Sequence, residues 1–314
     1  MAEAPVEVRG LVKLYGEIVA VDHVDLTIDE GDVYGYLGPN GAGKTTSLRM
    51  MLGLIRPTEG SVRLFGRDPQ ASVKALEGVA GFVEAPRFYP YMSGRRNLEL
   101  LAAFDGAGAP SRIDESLKLV ELTGRAGDKV GGYSHGMRQR LGIAASLLRD
   151  PRLLLLDEPA TGLDPAGMRD MRALIRRLAD GGMTVMLSSH LLGEVEELCN
   201  RVGIIRSGQI VYEGTIADLQ RTSGSGYRLR TTDNATALAV CESQPGVENT
   251  RLDGDAVRFN ADDATAAKLS VALVESGAAI VELARETARL EDLFFRLTEG
   301  DGSGELGTLE RSAA

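Results

Sequence analysis

The chain has 314 residues, 43% hydrophobic and 25% charged, enough for about two ordinary domains with a sizeable core. Lys and Arg number 35 against 45 Asp and Glu, a formal charge of −10 that argues against a general nucleic-acid binder, since such proteins need cations to neutralise phosphate. Cys199 and Cys241 are too far apart for a metal pair and read as reduced thiols, the opening MAEAPVEVRG lacks a signal pattern, and no apolar run nears the roughly 18 residues of a membrane span, so any spans would come from another chain.

Along the chain, Val6–Val12 and Val19–Ile28 alternate apolar and polar residues, as half-buried strands do. Val33–Leu37 reads as a strand, followed by a glycine-rich turn and a helix over Thr45–Ile55. Gly78–Val83 and Leu153–Asp157 read as strands flanking a mostly helical stretch of about 93–149. Helix 166–180, strand Met183–Ser188, helix 191–199 and strand Val202–Arg206 follow, and this alternation predicts a mainly parallel, buried sheet. Thr222-Ser-Gly-Ser-Gly226 reads as a linker. Beyond it, strands at Tyr227–Thr231, Ala256–Asn260 and Ala279–Ala284, with helices at Ala235–Ser243, Ala264–Ser276 and Leu290–Leu297, predict a small α/β domain, ferredoxin-like in outline. The last residues, 299–314, read as a disordered tail.

Gly38-Pro39-Asn40-Gly41-Ala42-Gly43-Lys44-Thr45 fits G-x-x-x-x-G-K-[ST], with a strand before it and a helix after it. The glycines let backbone N–H groups turn inward on a phosphate, and the following helix aims its positive end there. Lys44 would neutralise the terminal phosphates of ATP, Thr45 would ligate Mg²⁺, and Thr46 would donate to a phosphate oxygen. The apolar strand ending at Asp157 brings that acid towards Mg²⁺. Glu158 follows directly; on an extended backbone its side chain points away from the metal, towards an attacking water, as a general base. His190, at the carboxyl end of a predicted parallel strand, is placed for a γ-phosphate contact. Strand logic gives His23 and His135 no such place, and His23 reads as structural.

These pieces follow the order and spacing of an ABC ATPase, and the resemblance covers about residues 5–222. Tyr15 looks like the aromatic that stacks on adenine. Tyr133-Ser134-His135-Gly136-Met137-Arg-Gln-Arg140 is similar to the LSGGQ signature, departing from it at His135 and Met137; the resemblance implies that it binds the γ-phosphate held by a second ATPase subunit in a head-to-tail dimer. Taken as residues alone, the same stretch is a helix start with Ser134 as N-cap. Ala160–Asp164 resembles the loop crossing that dimer interface, with Asp164 as its polar contact. Glu84 stands where the family commonly has Gln, which implies a Mg²⁺ ligand and sensor of the γ-phosphate; an exposed acid after a strand is the other reading. Phe88–Leu98 resembles the segment that docks on a membrane partner, or caps the core of the helical region. Glu84–Pro86, the Tyr-Ser-x-Gly-Met signature and the ending Leu290-Glu-Asp-Leu-Phe-Phe-Arg-Leu-Thr298 look like bacitracin- and daunorubicin-type exporter ATPases.

The resemblance implies an α/β P-loop NTPase (ABC ATPase) domain over 1–222 with a helical subdomain at about 85–149, a linker at 223–226 and a small C-terminal α/β domain over 227–298. It further implies ATP and Mg²⁺, a separate multi-span permease, no nucleic acid, and a peripheral place on the cytoplasmic face of the membrane. Soluble ABC ATPases of ribosomes or DNA repair are the competing class. They usually carry a second ATPase unit with a charged linker, long coiled coils or zinc cysteines, none of which the sequence has. A non-catalytic scaffold is disfavoured by Lys44, Asp157, Glu158 and His190 together.

Overall fold

The computed structural model describes residues 3–105, 108–222 and 226–286. The chain divides between Gly214 and Thr215 into two compact units.

In the first unit, β1 (Val6–Tyr15) and β2 (Ile18–Ile28) pair antiparallel, Val6 opposite Ile28. Next come β3 (Val33–Leu37), α1 (Lys44–Met51), β4 (Glu59–Leu64) and β5 (Val79–Phe82). The helices α2 (Gly94–Ala102), α3 (Ile113–Leu119) and α4 (His135–Leu147) form the helical insertion. Then follow β6 (Leu153–Asp157), α5 (Pro165–Asp180), β7 (Thr184–Ser189), α6 (Leu192–Leu198), β8 (Arg201–Arg206) and β9 (Gln209–Thr215). One sheet runs β2-β1-β4 and the larger one β5-β6-β7-β3-β8-β9, with parallel pairing from β5 through β8.

The continuous apolar run Leu153–Leu156 is completely buried, as expected of a strand lying between β5 and β7 with both faces covered. Because β6 and β7 are parallel and in register, Asp157 lies opposite Ser188. The carboxyl ends of β3, β6 and β7 therefore gather at one edge of the sheet, where ligands bind in such folds.

Sequence reading missed β4 and β9. Glu59–Leu64 begins with Glu-Gly-Ser and buries only Val62 and Leu64, and Gln209–Thr215 buries no residue fully. Such strands form because a neighbour offers a free edge, here β1 and β8, and carry little apolar signal of their own.

The second unit contains α7 (Ile216–Thr222), β10 (Gly226–Thr231), α8 (Asn234–Ser243), β11 (Glu248–Asp253), β12 (Ala256–Asn260), α9 (Asp263–Glu275) and β13 (Ile280–Glu286). From β10 on, the order is β-α-β-β-α-β, with an antiparallel sheet ordered β11-β12-β10-β13, the ferredoxin-like arrangement. Its core joins Tyr227, Leu229, Val257 and Phe259 to Ala237, Cys241, Leu269 and Leu273. Burial pushes the Cys241 thiol up to about 11, so it is a protonated core group. β11 was not anticipated; its residues are almost all exposed. Thr222 and Gly226, read as linker ends, close α7 and open β10, while 223–225, the helix expected at Leu290–Leu297 and the tail lie outside the described residues.

Each unit has its own hydrophobic core. We therefore expect residues 1–224 alone to fold. Circular dichroism with a cooperative thermal transition checks this, and an unfolded fragment would move the domain boundary.

Candidate nucleotide site

The loop Gly38–Gly43 leaves β3 and enters α1. Two of its glycines have no room for a side chain: a Cβ on Gly38 would lie 2.4 Å from the Ile205 carbonyl oxygen, and one on Gly43, at φ 109°, would lie 2.4 Å from that of Ala20. Lys44, 5% exposed, donates from Nζ to the Gly38 and Pro39 carbonyls at 2.7 and 3.2 Å and stands 3.3 Å from Glu158 Oε1. The ammonium is thus held inside the curl of the loop. Thr46 follows in the first turn of α1, and Tyr36 at the end of β3 shares a 3.2 Å hydrogen bond with Ser47.

Asp157 is buried at the end of β6. Its Oδ2 accepts from Thr45 Oγ1 at 2.9 Å and its Oδ1 from Ser188 Oγ at 2.6 Å. Among the described residues no group of three His, Cys, Asp or Glu could hold a metal ion, and a cation bound here would draw further ligands from phosphate or water. Thr45 and Asp157, two hard oxygen donors side by side, fit Mg²⁺ on those terms.

Glu158 does not lie on extended backbone as expected. Its φ is +46°, a left-handed conformation that costs a non-glycine residue of order 1–3 kcal/mol. The turn is held by Glu158 N–H donating to Ser188 Oγ at 2.9 Å and by Thr161 N–H donating to the Glu158 carbonyl at 3.1 Å. It keeps the carboxylate off Asp157 and among donors. Oε2 accepts from Thr161 Oγ1 at 2.8 Å and from His190 Nδ1 at 3.0 Å. Burial pulls this carboxyl up, but Thr161, Lys44 and His190 together outweigh it and hold it below the usual carboxylate range. Glu158 is therefore ionised at neutral pH, as a general base must be. With Nδ1 of His190 donating to Glu158, Nε2 can donate to a phosphate oxygen only in the imidazolium form.

Glu84 also has a left-handed backbone, φ +66°, and its N–H points at Asp157 Oδ2 from 3.4 Å. Its carboxylate instead pairs with Arg49 of α1. The next segment is pinned by buried Asn97, whose Oδ1 accepts from Tyr89 N–H at 2.8 Å and whose Nδ2 donates to the Tyr89 and Ser93 carbonyls. That leaves Tyr89 and Tyr91 exposed. Tyr15 is 46% exposed, with Lys13 Nζ 5.1 Å from its ring centre, so it is a surface platform rather than core.

Ser134 caps α4, its Oγ accepting from Met137 N–H at 3.2 Å, with His135 and Gly136 in the first turn. Asp164 caps α5, its Oδ1 accepting from Gly167 N–H at 2.7 Å. The structure thus gathers Lys44, Thr45, Asp157, Glu158 and His190 with the loop. Among the described residues no hydrogen bond or ion pair joins Tyr15, Ser134 or Asp164 to that group, and Glu84 reaches it through its backbone alone. Sequence reading gave no role to Ser188 or Arg49, and gave Thr161 only a place in the loop Ala160–Asp164. A hydroxyl ending a buried strand was the available sign for Ser188; nothing local marked Arg49.

The ABC transporter family matches residues 21–161. The bacitracin transport ATP-binding protein BcrA of Bacillus licheniformis is 37% identical, over 96% of this chain and 99% of its own. The daunorubicin resistance ATP-binding protein DrrA3 of Streptomyces coeruleorubidus is 34% identical, over 96% and 98%. Among solved structures, a dimeric ATP-binding cassette in a post-hydrolysis state, bound to ADP and Pi, superposes with a TM-score of 0.61 at 27% identity, over 67% of this chain and 98% of that one.

Proposed function

The chain belongs to the ABC transporter ATP-binding family, and from that premise we propose that it drives efflux of a drug-, antibiotic- or lipid-like substrate through a separate membrane permease. It is an ATPase, and no described helix is long and apolar enough to cross a membrane. The observation that carries the proposal is the ionised Glu158 beside Lys44 and His190, in a chain that aligns almost end to end with a bacitracin transport protein.

In this reading the loop 38–43 and Lys44 hold the β- and γ-phosphates, Thr46 donates to them, and adenine stacks on Tyr15. Thr45, Asp157 and Glu84 would hold Mg²⁺, which would neutralise phosphate charge. Glu158 accepts the proton of the attacking water, and His190 steadies the γ-phosphate. Ser134–Met137 of a second subunit closes the site, Asp164 crosses the interface, and Tyr89–Tyr91 meets the permease on the cytoplasmic face of the membrane. Hydrolysis reopens the dimer and resets the permease.

The test is co-expression with a six-span permease and measurement of substrate efflux and permease-stimulated ATP hydrolysis. The expected result is efflux with the wild-type chain and none with Glu158→Gln; equal efflux with both would overturn the proposal.

Glu84 gives a finer test. If its carboxylate exchanges Arg49 for Mg²⁺ when nucleotide binds, Glu84→Gln raises the Mg²⁺ concentration for half-maximal ATPase activity and Arg49→Met lowers it. Superimposable Mg²⁺ titrations for both variants and wild type would remove Glu84 from the site.

A further inference from the structure

His135 is the residue at which the signature departs most from small glycine, and its imidazole reaches into the loop after Glu158. Nε2 lies 3.0 Å from the Thr161 carbonyl oxygen, and a Cβ on Gly162 would sit 3.5 Å from the same nitrogen. A carbonyl only accepts, so Nε2 carries a proton in this contact. Both the Nε2–H tautomer and the imidazolium meet that requirement. Thr161 is bound in turn to Glu158 twice, its N–H to the Glu158 carbonyl at 3.1 Å and its Oγ1 to Oε2 at 2.8 Å. A chain of hydrogen bonds therefore runs from the first residue of α4 to the carboxylate of Glu158.

We propose that His135 is a positioning residue that ties the N-terminus of α4 to Glu158 through Thr161. The inference rests on the reading above, in which the start of α4 addresses the nucleotide of one composite site while Glu158 serves the other. Nucleotide docking against α4 in one site then sets the orientation of the base in its neighbour. A glycine at 135 has no side chain to reach Thr161, so the link belongs to this chain's departure from the signature.

Steady-state ATPase activity of the full chain, measured against ATP concentration, tests it. His135→Ala and Thr161→Val each lower kcat about two- to tenfold, the range for one net hydrogen bond. Thr161→Val leaves KM for ATP unchanged. The double variant is no slower than the slower single one, because both changes cut the same chain. His135→Gln, whose Nε2 can stand where the imidazole Nε2 stood, recovers kcat to within about twofold of wild type. A double variant slowed by the product of the single losses, an unchanged His135→Ala, or a His135→Gln as slow as His135→Ala would each overturn the link, even with Glu158→Gln inactive. A Glu158→Gln variant as fast as wild type would overturn the base and the link together.

Discussion

Glu158→Gln should bind ATP and hydrolyse it about 10²–10⁴-fold more slowly than wild type, the usual loss when a positioned general base is removed. The amide keeps the shape and can still accept from Thr161 and His190, but it cannot take a proton from water. The negative charge beside Lys44, 3.3 Å away, also disappears, which should leave ATP bound at least as well. ATP-bound dimer should then accumulate. Phosphate release and gel-filtration mass with ATP measure both effects, and near-normal turnover would refute the assignment. The pH dependence has a defined sign. The folded-state value for Glu158 lies below that of an ordinary glutamate, so the base stays ionised above the normal range and is lost only as pH falls through the lowered value. The acid limb of wild-type kcat/KM, which reports the nucleotide-free enzyme, should accordingly lie below the usual Glu range.

Lys44→Ala should lose about 10–100-fold in ATP affinity, since a charge-assisted contact contributes roughly 1.5–3 kcal/mol. Turnover should fall by a further 10²–10³, about the effect of removing one charge-stabilising donor from a transition state. The side chain is buried and supplies the Gly38 and Pro39 carbonyls, so Lys44→Met, which fills the same space without the charge, separates catalysis from folding. Nucleotide binding by fluorescence, together with phosphate release, checks both variants. Wild-type activity in either would overturn the phosphate-loop reading.

The phosphate loop, the strand Leu153–Asp157 and helix α5 could be read from sequence because each is encoded locally. Tight turns need glycine, a strand covered on both faces needs an unbroken apolar run, and an N-cap such as Asp164 followed by Pro165 starts a helix. The sequence alone thus determined the fold class, and it singled out the loop with Lys44, Thr45, Asp157, Glu158 and His190, which the structure brings together. The tertiary structure decided which groups those residues meet. Thr45 and Asp157 are 112 positions apart, and Asp157 meets Ser188 because β6 and β7 pair in one register. Glu84 turned to Arg49, 35 positions earlier, because α1 lies within its reach. The left-handed turn at Glu158 is held by a serine on another strand, and His135 found Thr161 across 26 positions. Local residue patterns fix elements because backbone preferences act over a few residues; partners across the fold follow from strand register and helix packing, which no short stretch of sequence contains.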